Sequence, residues 1–132
     1  MTEAEIQQQI QLAIGSRDDA RLFRNNQGQA WVARGKPVRS KEGVFLPHGA
    51  QYHFGLPTGS PDLVGIKSVT VTPEMVGQVI GLFMGVEVKT ARGRVSAQQR
   101  RFIEMVQQFG GIAGVARSEA EAMEMFHGGE ER

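Results

Sequence analysis

Cysteine is absent from the 132 residues, which excludes a disulfide framework and any thiolate metal site. Tryptophan and tyrosine occur once each, beside seven phenylalanines, too sparse a set for a platform that stacks successive bases of a single strand. No apolar run is long enough, or free enough of glycine and charge, to span a bilayer. The N-terminus, Met1-Thr2-Glu3-Ala4-Glu5, is acidic where a secretory leader would be basic, so none is expected, and a cytoplasmic setting is. Internal repeats and low-complexity segments are also lacking. What remains, 40% hydrophobic and 22% charged residues, suits one domain, 1–132, closed around a sheet and a few helices.

The net charge of +1 conceals an uneven distribution. Arg17 to Lys41 holds seven basic residues against two acidic, and Lys89 to Arg101 holds five basic and none acidic. The tail from Ser118 reverses this with five glutamates and one arginine. Two basic segments converging on one face suit a polyanion, while solvated loops and helix faces give the same count.

Residues 3–14 read as a helix, since Ile6, Ile10, Ala13 and Ile14 recur at helical spacing and Thr2 with Glu5 forms a capping-box pattern. At about 100° per residue Glu3 falls among those apolar positions and Glu5 away from them. Short strand-like pieces follow from Arg21 to Phe54, broken by Gly, Pro and Asn as in hairpins. A Gly/Pro-rich turn leads to a strand at Leu63–Ile66, and "KSVTVTPEMVGQVI" reads as a strand, or a strand and turn. The run "VIGLFMGVEVKT" gives the clearest strand. Its period of two sets Leu82, Met84, Val86 and Val88 on one face, with Phe83, Glu87 and Lys89 on the other. Apolar groups on both faces predict a central strand covered on both sides. Ser96 caps a helix from Ala97 to about Phe109, ended by Gly110-Gly111, with Gln99 in the middle of its apolar stripe. A further strand, "GIAGVA", precedes a last helix capped by Ser118, and "HGGEER" is expected to fray.

Three features need a joint explanation. Pro61-Asp62 opens one strand, Glu87-x-Lys89 shares a face of another, and Gln99 faces inward from the helix that follows. Two carboxylates converging from adjacent strands make a hard oxygen site for Mg²⁺ or Mn²⁺, and a lysine beside them meets a phosphate oxygen. Hydrolysis of a phosphodiester needs that combination. Taken singly, each has an ordinary reading: a same-face ion pair, turn chemistry at Asp62, a satisfied amide at Gln99, a first-turn charge at Glu3. His48 and His53 lack the spacing of a zinc motif; they could contact DNA or a leaving group, but are expected as loop or core residues. Trp31, near Arg34, could stack on a base, but a core role is expected. Arg24, Asn25, Asn26, Arg92, Arg94, Arg100 and Arg101 are candidate DNA phosphate contacts.

The ordered set resembles the P-D-x(n)-E-x-K signature of restriction-endonuclease-like nucleases. More closely, "GSPDLVG", "VEVKT", "GRVSAQQRRF" and "GGIAGVARS" resemble the VRR-NUC family, the virus-type replication-repair nuclease domain. The resemblance implies an α/β fold with a mixed central sheet flanked by helices. It implies metal binding by Asp62, Glu87 and the backbone carbonyl of Val88, with Lys89 on the scissile phosphate or the attacking water. Gln99 would support the site, and Glu3, or Glu5 in its place, would hold a metal-bound water or second metal. Neighbouring carboxylates favour an ammonium, so Lys89 is expected to act mainly as a cation. Small phage-type members imply a homodimer cutting branched DNA such as four-way junctions, in the host cytoplasm, with no organic cofactor and no membrane partner. The alternatives are a non-catalytic DNA-binding module and a sequence-specific nicking or restriction-like enzyme acting on duplex.

Overall fold

Thr2 opens a helix through the reciprocal capping box that its spacing from Glu5 predicts, and Ser96, expected as a cap, opens another through a box closed by Gln99. The structure, a computed structural model, describes residues 1–127; the fraying expected beyond His127 lies outside the described residues. It is mixed α/β with three helices and small sheets. The chain divides into two compact units, Met1–Leu22 with the chain from Gly65 onward, and Phe23–Val64.

The first unit begins with α1 (Glu3–Gly15). Its least exposed side chains are Gln7, Gln11 and Ile14, while Ile6 and Ile10 stand 42% and 41% exposed. The inward stripe is thus rotated from the isoleucine stripe the spacing predicts. The core lies further along the chain, where β7 (Met84–Val88), α2 (Ala97–Gln108) and β8 (Ile112–Ala116) form a strand–helix–strand unit. β7 and β8 pair in parallel with Glu87 opposite Val115; such a pair requires a long crossover, which α2 supplies. Ile66, Val106 and Ala113 are buried together, with Phe83, Ile103, Met105 and Phe109 packed around them.

The paired glycines after α2 have separate causes. Gly110 adopts φ +89, the left-handed turn that ends a helix and that glycine enters without steric cost. Gly111 is needed for space, since a Cβ there would stand 2.7 Å from Val106 Cγ1 and 2.8 Å from the Phe83 carbonyl oxygen. Chain reversal and close approach let β8 begin directly beside Phe83, where the Ile112 amide donates to the Phe83 carbonyl at 2.9 Å. α3 (Glu119–His127) then packs on β8, with Ser118 Oγ accepting from the Glu121 amide at 3.1 Å.

Two expectations are corrected. The segment Ser68–Ile80 holds no strand, only a 3-10 turn at Pro73–Met75. Its valines, Val69, Val71, Val76 and Val79, are 57–99% exposed; Pro73 opens the turn, Gly77 follows it at φ +87, and no described strand pairs with the segment. β7 is also not a central strand covered on both sides: among the described residues it pairs with β8 alone, and Met84, Val86 and Val88 stay 42%, 41% and 74% exposed. A cleft of about 110 Å³ is lined by Gly65–Lys67 of β6 (Leu63–Lys67), by residues 81–83 and by Phe109, Gly110 and Gly111.

In the second unit β2 (Gly28–Val32) and β5 (Ala50–Phe54) form an antiparallel ribbon. The excursion between them folds as a short hairpin, β3 (Val38–Ser40) with β4 (Gly43–Phe45). β1 (Ala20–Arg24) pairs with β6, and the division between the units falls within these two strands. No described helix is long and apolar enough to cross a membrane.

Gly111→Ala is expected to cost about 1–3 kcal/mol in urea unfolding, because the clash falls partly on backbone. Asp19 carries a pH signature. Hydrogen bonds from the Arg17 guanidinium at 2.8 and 2.9 Å, then the Lys67 ammonium at 3.2 Å, hold its carboxyl well below the usual range. A depressed carboxylate stabilises the fold above its unfolded titration point, and that contribution fades as pH falls through the folded one. The melting temperature of wild type should therefore exceed that of Asp19→Asn at pH 7, with the gap closing below about pH 4.

Candidate active site

The alternation of β7 sets Glu87 on its less exposed side, and the ladder continues one residue further because the Lys89 amide donates to the Ala116 carbonyl at 3.1 Å. Lys89 therefore shares the face of Glu87. Their side chains retain only 21% and 29% accessibility, respectively, and Lys89 Nζ lies 3.3 Å from Glu87 Oε1. Gln99 Nε2 donates to the same Oε1 at 2.7 Å. Glu87 and Gln99 open on a cleft of about 170 Å³ walled by Phe102 and Ile103.

Gln99 has a second task. Its Oε1 accepts from the Ser96 amide at 2.9 Å while its own amide donates to Ser96 Oγ at 3.0 Å. In α1 a glutamate, Glu5, fills the equivalent position, its carboxylate accepting from the Thr2 amide at 2.7 Å. A glutamate only accepts, whereas a carboxamide both accepts and donates. At position 99 the amide closes the helix cap with its oxygen and holds Glu87 with its nitrogen. α2 has no acidic residue in its first turn; the carboxylate tied to that helix end comes instead from β7.

The turn between β7 and α2 is fastened by Arg117, just past β8. Its Nη1 donates to the carbonyls of Thr90 and Gly93, the latter at 2.8 Å, with a longer contact to Ala91 at 3.4 Å. Sequence reasoning missed this residue as a positioning group. Its signal is faint, an arginine that ends an apolar strand before a helix-capping serine.

Asp62 belongs to the second unit, exposed, just ahead of β6. Asn25 shapes its loop: the Asn25 amide donates to the Asp62 carbonyl at 2.8 Å. Asn25 Nδ2 donates to Ser60 Oγ at 2.7 Å and to the Pro61 carbonyl at 2.8 Å. Asn25 Oδ1 accepts from the Leu56 amide at 3.2 Å. Asn25, a candidate phosphate contact by sequence, commits its carboxamide to the P-D loop. Arg24 and Asn26 of this unit are exposed. So are Arg92 and Arg94 in the β7–α2 turn and Arg100 and Arg101 on α2. Glu3 is exposed on α1, in line with Gln7, Gln11 and Ile14, while Glu5 is occupied by the helix cap.

Trp31, expected in the core, is instead 64% exposed. His53, expected in a loop or the core, is exposed on β5 with Nε2 3.3 Å from Gln29 Nε2, whereas His48 sits in a loop, as expected, at φ 51.

Among the described residues no three His, Asp or Glu side chains gather as a metal cluster. The donor chemistry at Glu87 nevertheless fits a hard cation, because both contacts fall on Oε1 and, among the described residues, Oε2 takes none.

The shared amide makes a separable prediction. Gln99→Ala should cost about 0.5–1.5 kcal/mol in urea unfolding for the lost hydrogen bonds. Gln99→Glu keeps the cap acceptor but sets two carboxylates together, and like charges that close disfavour each other. Its stability deficit against wild type should grow between pH 4 and pH 8, where that of Gln99→Ala stays flat.

The profile of the VRR-NUC domain matches residues 46–120. That span holds Asp62, the Glu87-x-Lys89 pair, Gln99 and Arg117, and takes in the whole β7–α2–β8 unit. No curated protein and no solved structure is significantly similar to the chain. With more than half of its length under that profile, the chain belongs to the VRR-NUC family of nuclease domains.

Proposed function

We propose that this protein is a metal-dependent DNA endonuclease, selective for branched DNA and working as a homodimer with a restriction-endonuclease-like arrangement. The observation that carries the reading is the hydrogen-bonded trio of Glu87, Lys89 and Gln99, in which the E-x-K pair of the family pattern shares one carboxylate oxygen with an amide from the next helix.

In this reading Glu87, Asp62 and the Val88 carbonyl would hold Mg²⁺ or Mn²⁺, with Glu3 as a further acidic group. When bound, the ion would supply Lewis acidity toward the phosphoryl oxygen and make water more nucleophilic. Lys89 sets its ammonium against a non-bridging phosphate oxygen, where negative charge grows as water attacks phosphorus and the bond to the leaving oxygen breaks. Gln99 keeps Glu87 from closing fully onto Lys89, leaving Oε2 for the cation. Asn25 sets the loop that presents Asp62. Arg92, Arg94, Arg100 and Arg101 add positive charge on the phosphate backbone, so affinity falls as salt rises. Symmetric cuts on two strands need two sites, and one chain offers one, which favours the dimer.

Asp62→Asn and Lys89→Ala separate the roles. Turnover on a labelled four-way junction should fall about 10²-fold or more in both. Mn²⁺ affinity, followed by titration calorimetry, should fall in Asp62→Asn and hold in Lys89→Ala. Equal loss of metal affinity in both would overturn this division, and full activity of Asp62→Asn would overturn the nuclease reading.

A further inference from the structure

The β2–β5 ribbon of the second unit has two unlike faces, and neither is buried. Register places Gln29 opposite His53 and Trp31 opposite Gln51 on one face, with Ala30 opposite Tyr52 and Gly28 opposite Phe54 on the other. On the first face all four side chains are exposed, Trp31 to 64%. They form a row: Gln51 Nε2 donates to Gln29 Oε1, and Gln29 Nε2 approaches His53 Nε2 at 3.3 Å. Strands pack by burying apolar rows, so an exposed row of two amides, an imidazole and an indole contributes nothing to this chain's own core.

Charge points to the occupant. From Gly28 to Phe54 the chain carries Arg34, Lys36, Arg39 and Lys41 against one acidic residue, Glu42, and all four cations are exposed. They lie in the excursion beyond one end of the ribbon, where the Arg34 amide donates to the Pro47 carbonyl at 3.2 Å. A two-stranded ribbon fits the major groove of B-DNA, about 12 Å wide, and carboxamides pair with base edges there by donating and accepting at once. A single strand would instead need stacked aromatics on one face, but here Trp31 stands on one face and Tyr52 and Phe54 on the other.

We propose that the Gln29–Trp31–Gln51–His53 face of the β2–β5 ribbon docks in the major groove of duplex DNA, with Arg34, Lys36, Arg39 and Lys41 on the flanking phosphates. The inference deepens the nuclease reading by naming a duplex-binding element apart from the E-x-K site, and it rests on that reading only for DNA as the substrate.

Trp31 is the chain's one tryptophan, so the wild-type protein carries its own probe. The chain is titrated, with Ca²⁺ in place of Mg²⁺, against a short linear duplex and against one of its strands, following tryptophan emission, iodide quenching and gel mobility together. The expected result is that duplex shields Trp31 from iodide with the midpoint of the gel shift, and that single strand shields it less. Arg34→Glu with Arg39→Glu should weaken duplex binding about tenfold or more and flatten its salt dependence by about two contacts. Duplex bound with Trp31 still open to iodide, stronger shielding by single strand, or no duplex binding at all would each overturn the proposal. Cutting is scored separately with Mg²⁺: shielding without cutting defeats the nuclease reading alone, and cutting without shielding defeats the ribbon alone.

Discussion

One carboxamide joins two elements of the candidate site. Gln99 closes the N-terminus of α2 through its oxygen and grips Glu87 on β7 through its nitrogen. Helix start, strand face and ion pair are therefore fixed relative to one another by a side chain that must both accept and donate. The parallel pairing of β7 with β8 sets the distance that α2 must bridge, and Gly110-Gly111 returns the chain onto Phe83 at the far end. Within this unit the hydrophobic cluster of Ile66, Val106 and Ala113 holds the scaffold, and the amide decides where the carboxylate stands.

Strong local signals in the sequence correspond to strong local physics. Both capping boxes, the Gly-Gly stop and the same-face placement of Glu87 and Lys89 follow from rules that act within a few residues. Gln99 was legible as an inward residue, and the capping box explains why it is glutamine rather than glutamate. Family membership was legible too, because it rests on the order and spacing of those motifs.

The remainder depends on contacts that spacing does not encode. Asn25 holds a loop 35 and 36 residues away, and Arg117 reaches back 24 to 27 residues. Nothing next to either residue announces that partner. The valine-rich run after Ser68 shows the opposite failure: β propensity was present, but Pro73 turns the chain and no described strand pairs with it, so no strand formed. Apolar residues on both faces of β7 implied cover on both sides, and here the Met84–Val86–Val88 face stays open. Trp31 was placed in a core by its type, while its partner Gln51 and the polar Gln29 and His53 on the same face leave it in solvent.

The central claim, that the Glu87–Lys89–Gln99 trio serves phosphodiester hydrolysis, meets its most direct test in the purified wild-type chain. End-labelled four-way junction and linear duplex of matched sequence are incubated with Mg²⁺, with Mn²⁺, or with a chelator, and the products are sized on a denaturing gel. The account predicts defined cuts near the junction branch point with either metal, weaker cutting of the duplex and none under chelation. Binding of both DNAs with no metal-dependent product, at any enzyme concentration that shifts them in a gel, would contradict it.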